Sequence, residues 1–137
     1  MAEQSQEVIM KSKDVYYRGQ LLDTLKAMSV RESAQYLPAR SKRSVLRNFQ
    51  IVEKFVQRCA AQVAQKKKIR THLRDIIIVP QLVGYTIGIY NGKEFKDLTI
   101  TAAMIGHRLG EFSLTRVKVT HGTAGIGATK GSKTDKK

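Results

Sequence analysis

Tyr85-Thr86-Ile87-Gly88-Ile89-Tyr90-Asn91-Gly92-Lys93-Glu94-Phe95-Lys96-Asp97-Leu98-Thr99-Ile100 is the stretch that decides the fold class. Tyr85, Ile87 and Ile89 alternate with Thr86, Gly88 and Tyr90, the period of two that marks a strand with one buried face. Asn91-Gly92 follows directly and is a strong hairpin signal, because a type I′ turn needs positive φ at both central residues. Phe95, Leu98 and Ile100 predict the return strand, with an irregularity where the alternation slips by one residue. Upstream, Ile76-Ile77-Ile78-Val79 is continuous and β-branched, as in a strand buried on both faces, and Pro80 stops it. Downstream, Thr101 is placed to cap a short helix carrying Met104, Ile105 and Leu109, with Gly110 at its C′ position. The expectation is an α+β fold with a small three-stranded sheet and packed helices.

The N-terminal half reads as helical. Leu21, Leu22, Leu25 and Met28 predict a short helix over about residues 20–28. Ser29 stands three before Glu32, a capping-box pair that opens a second short helix ending near Leu37, before Pro38. Val45, Phe49, Val52, Val56, Cys59 and Val63 are spaced four, three, four, three and four apart. On one continuous helix, at roughly 100° per residue, they fall within about 80° of one another. Arg43, Arg47, Lys54 and Arg58 then form a basic stripe on the opposite side, so one face can pack on protein while the other meets phosphates. A solvated amphipathic helix and a coiled-coil segment are the alternatives for this stretch. Cys59 lies on the apolar stripe and reads as a buried core residue rather than a nucleophile. The run Lys66-Lys67-Lys68-Ile69-Arg70 is expected to end the helix, suiting its negative dipole end and offering phosphates a dense patch.

The chain has 137 residues, with 25 Lys plus Arg against 11 Asp plus Glu, a net charge of +14. That excess points to a polyanionic partner. It is also unevenly placed: residues 1–39 are neutral, 40–74 carry +10, 75–115 carry −1 and 116–137 carry +5. Two blocks therefore exceed the whole-chain total, which favours polyanion binding over a scatter of solvated side chains. The 42% hydrophobic content supports a core. The apolar runs are far short of the roughly 20 residues a membrane crossing needs, and the start Met1-Ala2-Glu3-Gln4-Ser5 lacks the charge and apolar pattern of a secretion signal. A single cysteine excludes an internal disulfide framework and a multi-cysteine zinc site. The expected organisation is a flexible N-terminus (1–15), a basic helical region (16–70), an α+β core (71–115) and a flexible basic tail (116–137).

Signals for catalysis are weak. His72, His107 and His121 are far apart and have no cysteine, serine or acid partner at a motif spacing. The tail run Gly125-Ile126-Gly127-Ala128-Thr129-Lys130 fits neither phosphate-binding pattern: Lys130 precedes Gly131 rather than following a glycine, and it stands where the dinucleotide motif needs glycine. No enzymatic role, cofactor or metal is expected.

A set of ordered matches carries a resemblance. Thr71-His72-Leu73-Arg74-Asp75, Pro80, Val83-Gly84, Tyr90-Asn91-Gly92-Lys93, Met104-Ile105-Gly106-His107, Leu109-Gly110-Glu111-Phe112 and Thr115 stand in sequence. They are followed by His121-Gly122 and Gly125-Ile126-Gly127-Ala128-Thr129, and preceded more loosely by Tyr17-Arg18-Gly19, Met28-Ser29 and Tyr36-Leu37. Together they resemble the small-subunit ribosomal protein family that bacteria number nineteen and eukaryotes number fifteen, in its archaeal and eukaryotic branch. The chain departs from that pattern at Thr123-Ala124 and in its terminus, Gly131 to Lys137. The resemblance implies an α+β core, a place in the head of the small subunit, and ribosomal RNA as the main partner. It also implies a neighbour in the head protein that bacteria number thirteen, and a tail directed toward the decoding region with its transfer and messenger RNA. Residence in the cytoplasm follows from the same branch, with a transient nucleolar stage if the source is eukaryotic.

The residues expected to meet RNA are Arg40, Lys42, Arg43, Arg47, Lys54, Arg58, Lys66, Lys67, Lys68, Arg70, His72 and Arg74. To these are added Asn91, Gly92, Lys93, His107, Arg108, Arg116, Lys118, His121, Gly122 and Lys130. Arginines fork two phosphate oxygens, so Arg43, Arg47, Arg58 and Arg74 are the expected positioning contacts. Recognition is expected to be of RNA shape and backbone, because the deep groove of A-form RNA hides base edges. Two other classes compete: a free basic nucleic-acid binder, which salt would strip from any particle, and a small enzyme, which would need a paired base and nucleophile.

Overall fold

The structure, a computed structural model, describes residues 15–118. The expected flexible N-terminus (1–15) apart from Val15, and the expected tail (116–137) beyond Lys118 with the contacts placed on His121, Gly122 and Lys130, lie outside the described residues.

The chain opens with a two-stranded hairpin, β1 (Tyr16–Tyr17) and β2 (Gln20–Leu21), that sequence periodicity does not reveal. Its two-residue turn has Arg18 at φ 48° and Gly19 at φ 82°. The paired positive φ values expected at Asn91-Gly92 are thus found here, where only two residues separate the strands. Helix α1 (Leu22–Ala27) follows, then α2 (Val30–Ser33), with a 3-10 turn at Ala34–Tyr36 that stops at Leu37 before Pro38. The capping box is formed: the Glu32 amide donates to Ser29 Oγ (3.3 Å) and the Ser29 amide to Glu32 Oε2 (3.0 Å). The Ser29 amide first, and then the Ser29 hydroxyl donating to the same oxygen (2.9 Å), hold the Glu32 carboxyl below its ordinary pKa.

The long helix expected across residues 45–63 is two helices, α3 (Ala39–Arg47) and α4 (Phe49–Ala64). They meet at Asn48, whose backbone leaves the helical region (φ −107°, ψ 28°). Its amide closes α3 on the Ser44 carbonyl, and its own carbonyl accepts from Ile51 and Val52 to start α4. Val45, Val52 and Cys59 are buried as expected, but Val63 is exposed and Phe55 joins them in the core. Helix α4 thus follows its own wheel, Val52-Phe55-Cys59, rather than continuing the one begun in α3.

The lysine run does not extend α4. The Lys66 amide donates to Val63 O and the Lys67 amide to Gln62 O, both at 2.9 Å, with Lys66 at φ 54°. This is a Schellman termination, which normally takes glycine at the position Lys66 occupies. The turn leads straight into β3 (Ile69–Thr71).

The sheet has three strands, as expected, but one is not the strand anticipated. Its order is β3, β4 (Thr86–Tyr90), β5 (Phe95–Thr99), with β3 parallel to β4 and β4 antiparallel to β5. Ile76-Ile77-Ile78-Val79 is buried throughout yet forms no regular strand. It runs extended against residues 106–109, with Ile78 N donating to His107 O (2.8 Å), Gly106 N to Ile78 O (2.9 Å) and Leu109 N to Ile76 O (3.1 Å). Backbone satisfaction outside a sheet lets four consecutive side chains be buried without a strand on each side. The helix expected between Thr101 and Gly110 is two 3-10 turns, Ala102–Met104 and Leu109–Phe112, with no side-chain cap from Thr101.

The β4–β5 register is unbroken from Thr86↔Thr99 to Tyr90↔Phe95, so the expected irregularity is absent. The apolar residues slip because they serve two faces. Leu98 pairs with Ile87 and shares the inner face with Ile89, whereas Phe95 pairs with Tyr90 on the outer face. One buried cluster unites Val30, Ala34, Val45, Val52, Phe55 and Cys59 of the helical half with Ile69, Ile78, Ile87, Ile89, Ile100 and Leu109 of the sheet half. Each such Ile or Leu contributes about 1.5–3 kcal/mol relative to exposure. Burial pushes the Cys59 thiol up to about 11, which keeps it protonated and inert.

Candidate nucleic-acid interface

Helix α3 presents Arg40, Arg43 and Arg47 to solvent, with Lys42 half-buried, and its first turn holds no acid. Helix α4 adds Lys54 and Arg58, both exposed. The guanidinium of Arg58 lies over Phe55 at 5.4 Å and that of Arg31, in α2, over Phe49 at 4.6 Å, so these cations are braced on aromatic faces. Arg31, Arg47 and the backbone of Phe49 and Gln50 border a recess where α4 begins. The break at Asn48 divides the basic residues between two helices rather than leaving them on one straight stripe.

Beyond α4, exposed Lys66, Lys67 and Lys68 line a groove of about 400 Å³ with Val63, Tyr85, Thr86 and Asp97. Lys66 holds a left-handed backbone that costs a side-chain-bearing residue roughly 1–2 kcal/mol. Among the described residues, the only carboxylate within ion-pair distance of a basic side chain is Glu111, against His107. The cations of residues 40–70 are therefore not neutralised within the described chain.

Two other residues expected to meet RNA also hold the fold together. Arg74 is half-buried and its guanidinium donates to the carbonyls of Tyr90, Gly110 (2.9 Å) and Ser113. It ties the end of β4 to the last 3-10 turn, and only a flat multidentate group can span those oxygens. Gly110 lets the two segments approach closely, since a Cβ there would meet the Arg74 carbonyl at 3.0 Å and push it back. Arg108 is half-buried and reaches Asp75 O at 3.4 Å.

Asn91 and Gly92 build their turn as four residues rather than two. Asn91 Oδ1 accepts from the amides of Lys93 and Glu94, both at 2.9 Å, the Tyr90 hydroxyl donates to Gly92 O (2.7 Å), and only Gly92 has positive φ (103°). Lys93 is left free at the tip. His107 is exposed, 2.7 Å from Glu111 Oε2 and edge-on to Phe112. The Glu111 carboxyl is held below its ordinary pKa, first by the Arg108 amide and then by His107. Arg116 and Lys118 are exposed at the end of the described chain.

Sequence reasoning passed over Arg31, Tyr90 and Phe95 as members of this surface. The available signal for the last two was an aromatic residue at the outward position of each strand flanking the Asn91 turn. Arg31 left none, since its place beside Phe49 and Arg47 depends on how α2 packs on α4.

A family model described as ribosomal protein S19 matches residues 39–121. The chain is 46% identical over 123 residues to the small ribosomal subunit protein uS19 of Methanocella arvoryzae, covering 90% of this chain and 86% of the relative. It is 47% identical over 128 residues to the small ribosomal subunit protein uS19 of Halorubrum lacusprofundi, covering 90% of each. A match that includes the basic helices, the sheet and the Asn91 turn shows that the chain belongs to the ribosomal protein S19 family.

Proposed function

We propose that this chain is a structural constituent of the small ribosomal subunit that binds ribosomal RNA through the outer side of α3 and α4 and the lysine turn after them. The observation that carries the reading is the set of exposed cations over residues 40–70 without an intramolecular carboxylate partner among the described residues. Such groups gain by neutralising phosphates and releasing counterions. The family match supports the particle, and the geometry supports the face. Arg40, Arg43, Arg47, Arg58 and the three lysines contact phosphates, Lys42, Lys54 and Lys93 add to the same field, and Arg74 acts indirectly by holding the turn that presents Lys93. His107, Arg108, Arg116 and Lys118 contribute a second, smaller contact near the exit of the tail.

The resemblance extends the proposal to a position in the subunit head beside the protein that bacteria number thirteen. There the segment beyond residue 116, with His121, Gly122 and Lys130, is directed toward the decoding region and its transfer and messenger RNA. Residence is in the cytoplasm as part of the ribosome, after a nucleolar stage if the source is eukaryotic. The test is sedimentation of extract through sucrose at low salt and at about 0.5 M, where purely electrostatic contacts are largely screened. Retention at one copy per small subunit is expected. Release to the top of the gradient would replace this reading with that of a free basic binder.

A further inference from the structure

The outer face of the sheet carries side chains that the fold does not use. Alternation sends Ile87 and Ile89 of β4 inward, so Gly88 and Tyr90 belong to the outer face. The parallel register Arg70↔Gly88 and the antiparallel registers Gly88↔Asp97 and Tyr90↔Phe95 then define two rows across it. One row is Arg70, Gly88, Asp97. The next is His72, Tyr90, Phe95, whose three rings converge into a triangle, with centroids 4.7 Å (His72–Tyr90), 5.1 Å (His72–Phe95) and 5.2 Å (Tyr90–Phe95) apart and planes inclined at 49°, 78° and 53° respectively. His72 is exposed, and Tyr90 and Phe95 are half-exposed. In a sheet with one buried face the outer positions are ordinarily polar, so a contiguous row of rings there is apolar area left for something else to cover.

The surroundings favour a nucleic-acid base over a protein side chain. The Arg70 guanidinium sits over Phe95 at 5.3 Å, which places a cation at the edge of the ring row. Gly88 lets Arg70 and Asp97 close down over β4: a Cβ there would come within 2.9 Å of Asp97 Oδ1 and 3.3 Å of Arg70 Cγ. The far end of the same face, at Thr86 and Asp97, borders the groove lined by Lys66, Lys67 and Lys68. At about 3.3 Å per residue, Thr86 and Tyr90 are roughly 13 Å apart along β4. A phosphate-attracting groove and a stacking row on one strand face form the combination that single-stranded nucleic acid requires. The Tyr90 hydroxyl donates to Gly92 O, which anchors the outer end of the ring before any ligand arrives.

From this we infer that an unpaired ribosomal RNA nucleotide stacks its base on the His72–Tyr90–Phe95 row, with its neighbouring phosphates toward Arg70 and the lysine groove. The inference rests on the RNA-binding reading above and adds base contact where that reading has only backbone contact.

The experiment uses small subunits purified from cells in which the chain is replaced by His72→Ala, His72→Trp or His72→Leu, probed by 2′-hydroxyl acylation of the ribosomal RNA. A stacked nucleotide is held rigid and acylates slowly. The expected result is one single-stranded position at least about fivefold more reactive in His72→Ala than in the parent, the change to which the roughly 1 kcal/mol at the lower end of base–aromatic stacking converts. His72→Trp restores the low reactivity and His72→Leu does not. Phe95→Leu, which keeps the apolar bulk, exposes the same nucleotide. If the chain sediments with the subunit and its acylation profile is unchanged by His72→Ala, base stacking is overturned while RNA binding stands. Restoration by leucine as complete as by tryptophan also overturns it, because the site would then be simple apolar packing. A chain missing from the particle altogether would overturn the functional reading and this inference with it.

Discussion

Arg47 and Arg74 come from the same basic block and have opposite fates. Arg47 is exposed at the end of α3, beside the uncapped start of α4, with no carboxylate partner among the described residues. Arg74 is half-buried, with three donors committed to the carbonyls of Tyr90, Gly110 and Ser113. The contrast holds for their regions. On the helices and the lysine turn, cations stand outward; further along, Arg74, Arg108 and Glu111 are drawn into contacts with the backbone of irregular segments. Net charge along a sequence therefore marks where a polyanion binds only after the arginines that hold loops together have been subtracted.

The largest effect should come from Arg74→Ala. It strands three carbonyls, of which Ser113 belongs to a buried residue, and hydrogen bonds from a charged donor are worth about 1.5–3 kcal/mol each when intact. Partial exposure lets water replace some of that, so a loss of about 2–4 kcal/mol is expected in urea unfolding followed by circular dichroism. Arg74→Lys should recover less than half, since an ammonium cannot span the three oxygens. A variant as stable as the parent would break the comparison, for Arg74 would then be free to meet RNA.

Next comes the outward set. Arg43→Ala, Arg47→Ala and Arg58→Ala combined should change stability by less than about 1 kcal/mol in all, typical of exposed positions. The same variant should flatten the salt dependence of binding to small-subunit ribosomal RNA by about two to three units of slope, at roughly 0.7–0.9 for each phosphate no longer neutralised. An unchanged slope would remove the helical face from the interface, leaving the lysine turn alone.

How much of this division could be read in the sequence differs element by element. The Ser29–Glu32 cap, the β4–β5 pair and the burial of Ile76 to Val79 follow from local rules of spacing, and the structure has all three. Asn48 was illegible because an asparagine at the surface of an amphipathic run fits a continuous helix as well as a bent one. Strand β3 was hidden by its brevity and its charge: Ile69-Arg70-Thr71 is a strand only because β4 lies beside it. Arg74 and Arg47 look alike in sequence because burial of a side chain by residues sixteen and thirty-six positions away leaves no periodic trace. The Asn91-Gly92 pair after an alternating strand placed the turn, while its four-residue geometry depended on the Asn91 side chain accepting from two amides.

Lys66 lies on the border between the two behaviours, and Lys66→Gly separates them. Its left-handed backbone favours glycine, so the substitution should stabilise the chain by about 0.5–1 kcal/mol. It should also reduce the salt slope by close to one unit if the lysine meets a phosphate. Gain of stability with an undiminished slope would make Lys66 a strained residue without an RNA contact, and would shift the lysine patch to Lys67 and Lys68.

The smallest effect concerns Glu111, whose carboxyl accepts from the Arg108 amide and faces His107. Its folded-state pKa is below the unfolded value near 4.5, so the ionised form is preferred by the native chain. The contribution is therefore complete above that value and is lost as pH falls through the lower folded-state value, not in the neutral range. Glu111→Gln should lower stability slightly at pH 6–7 and by less at about pH 3, because the advantage of the ionised carboxyl fades as it takes up its proton below 4.5. Parallel urea titrations of the two chains at both pH values check this. If the difference persists unchanged at pH 3, the glutamate acts by its shape in the 3-10 turn rather than by charge, and the last 3-10 turn then owes its position to Arg74 and packing alone.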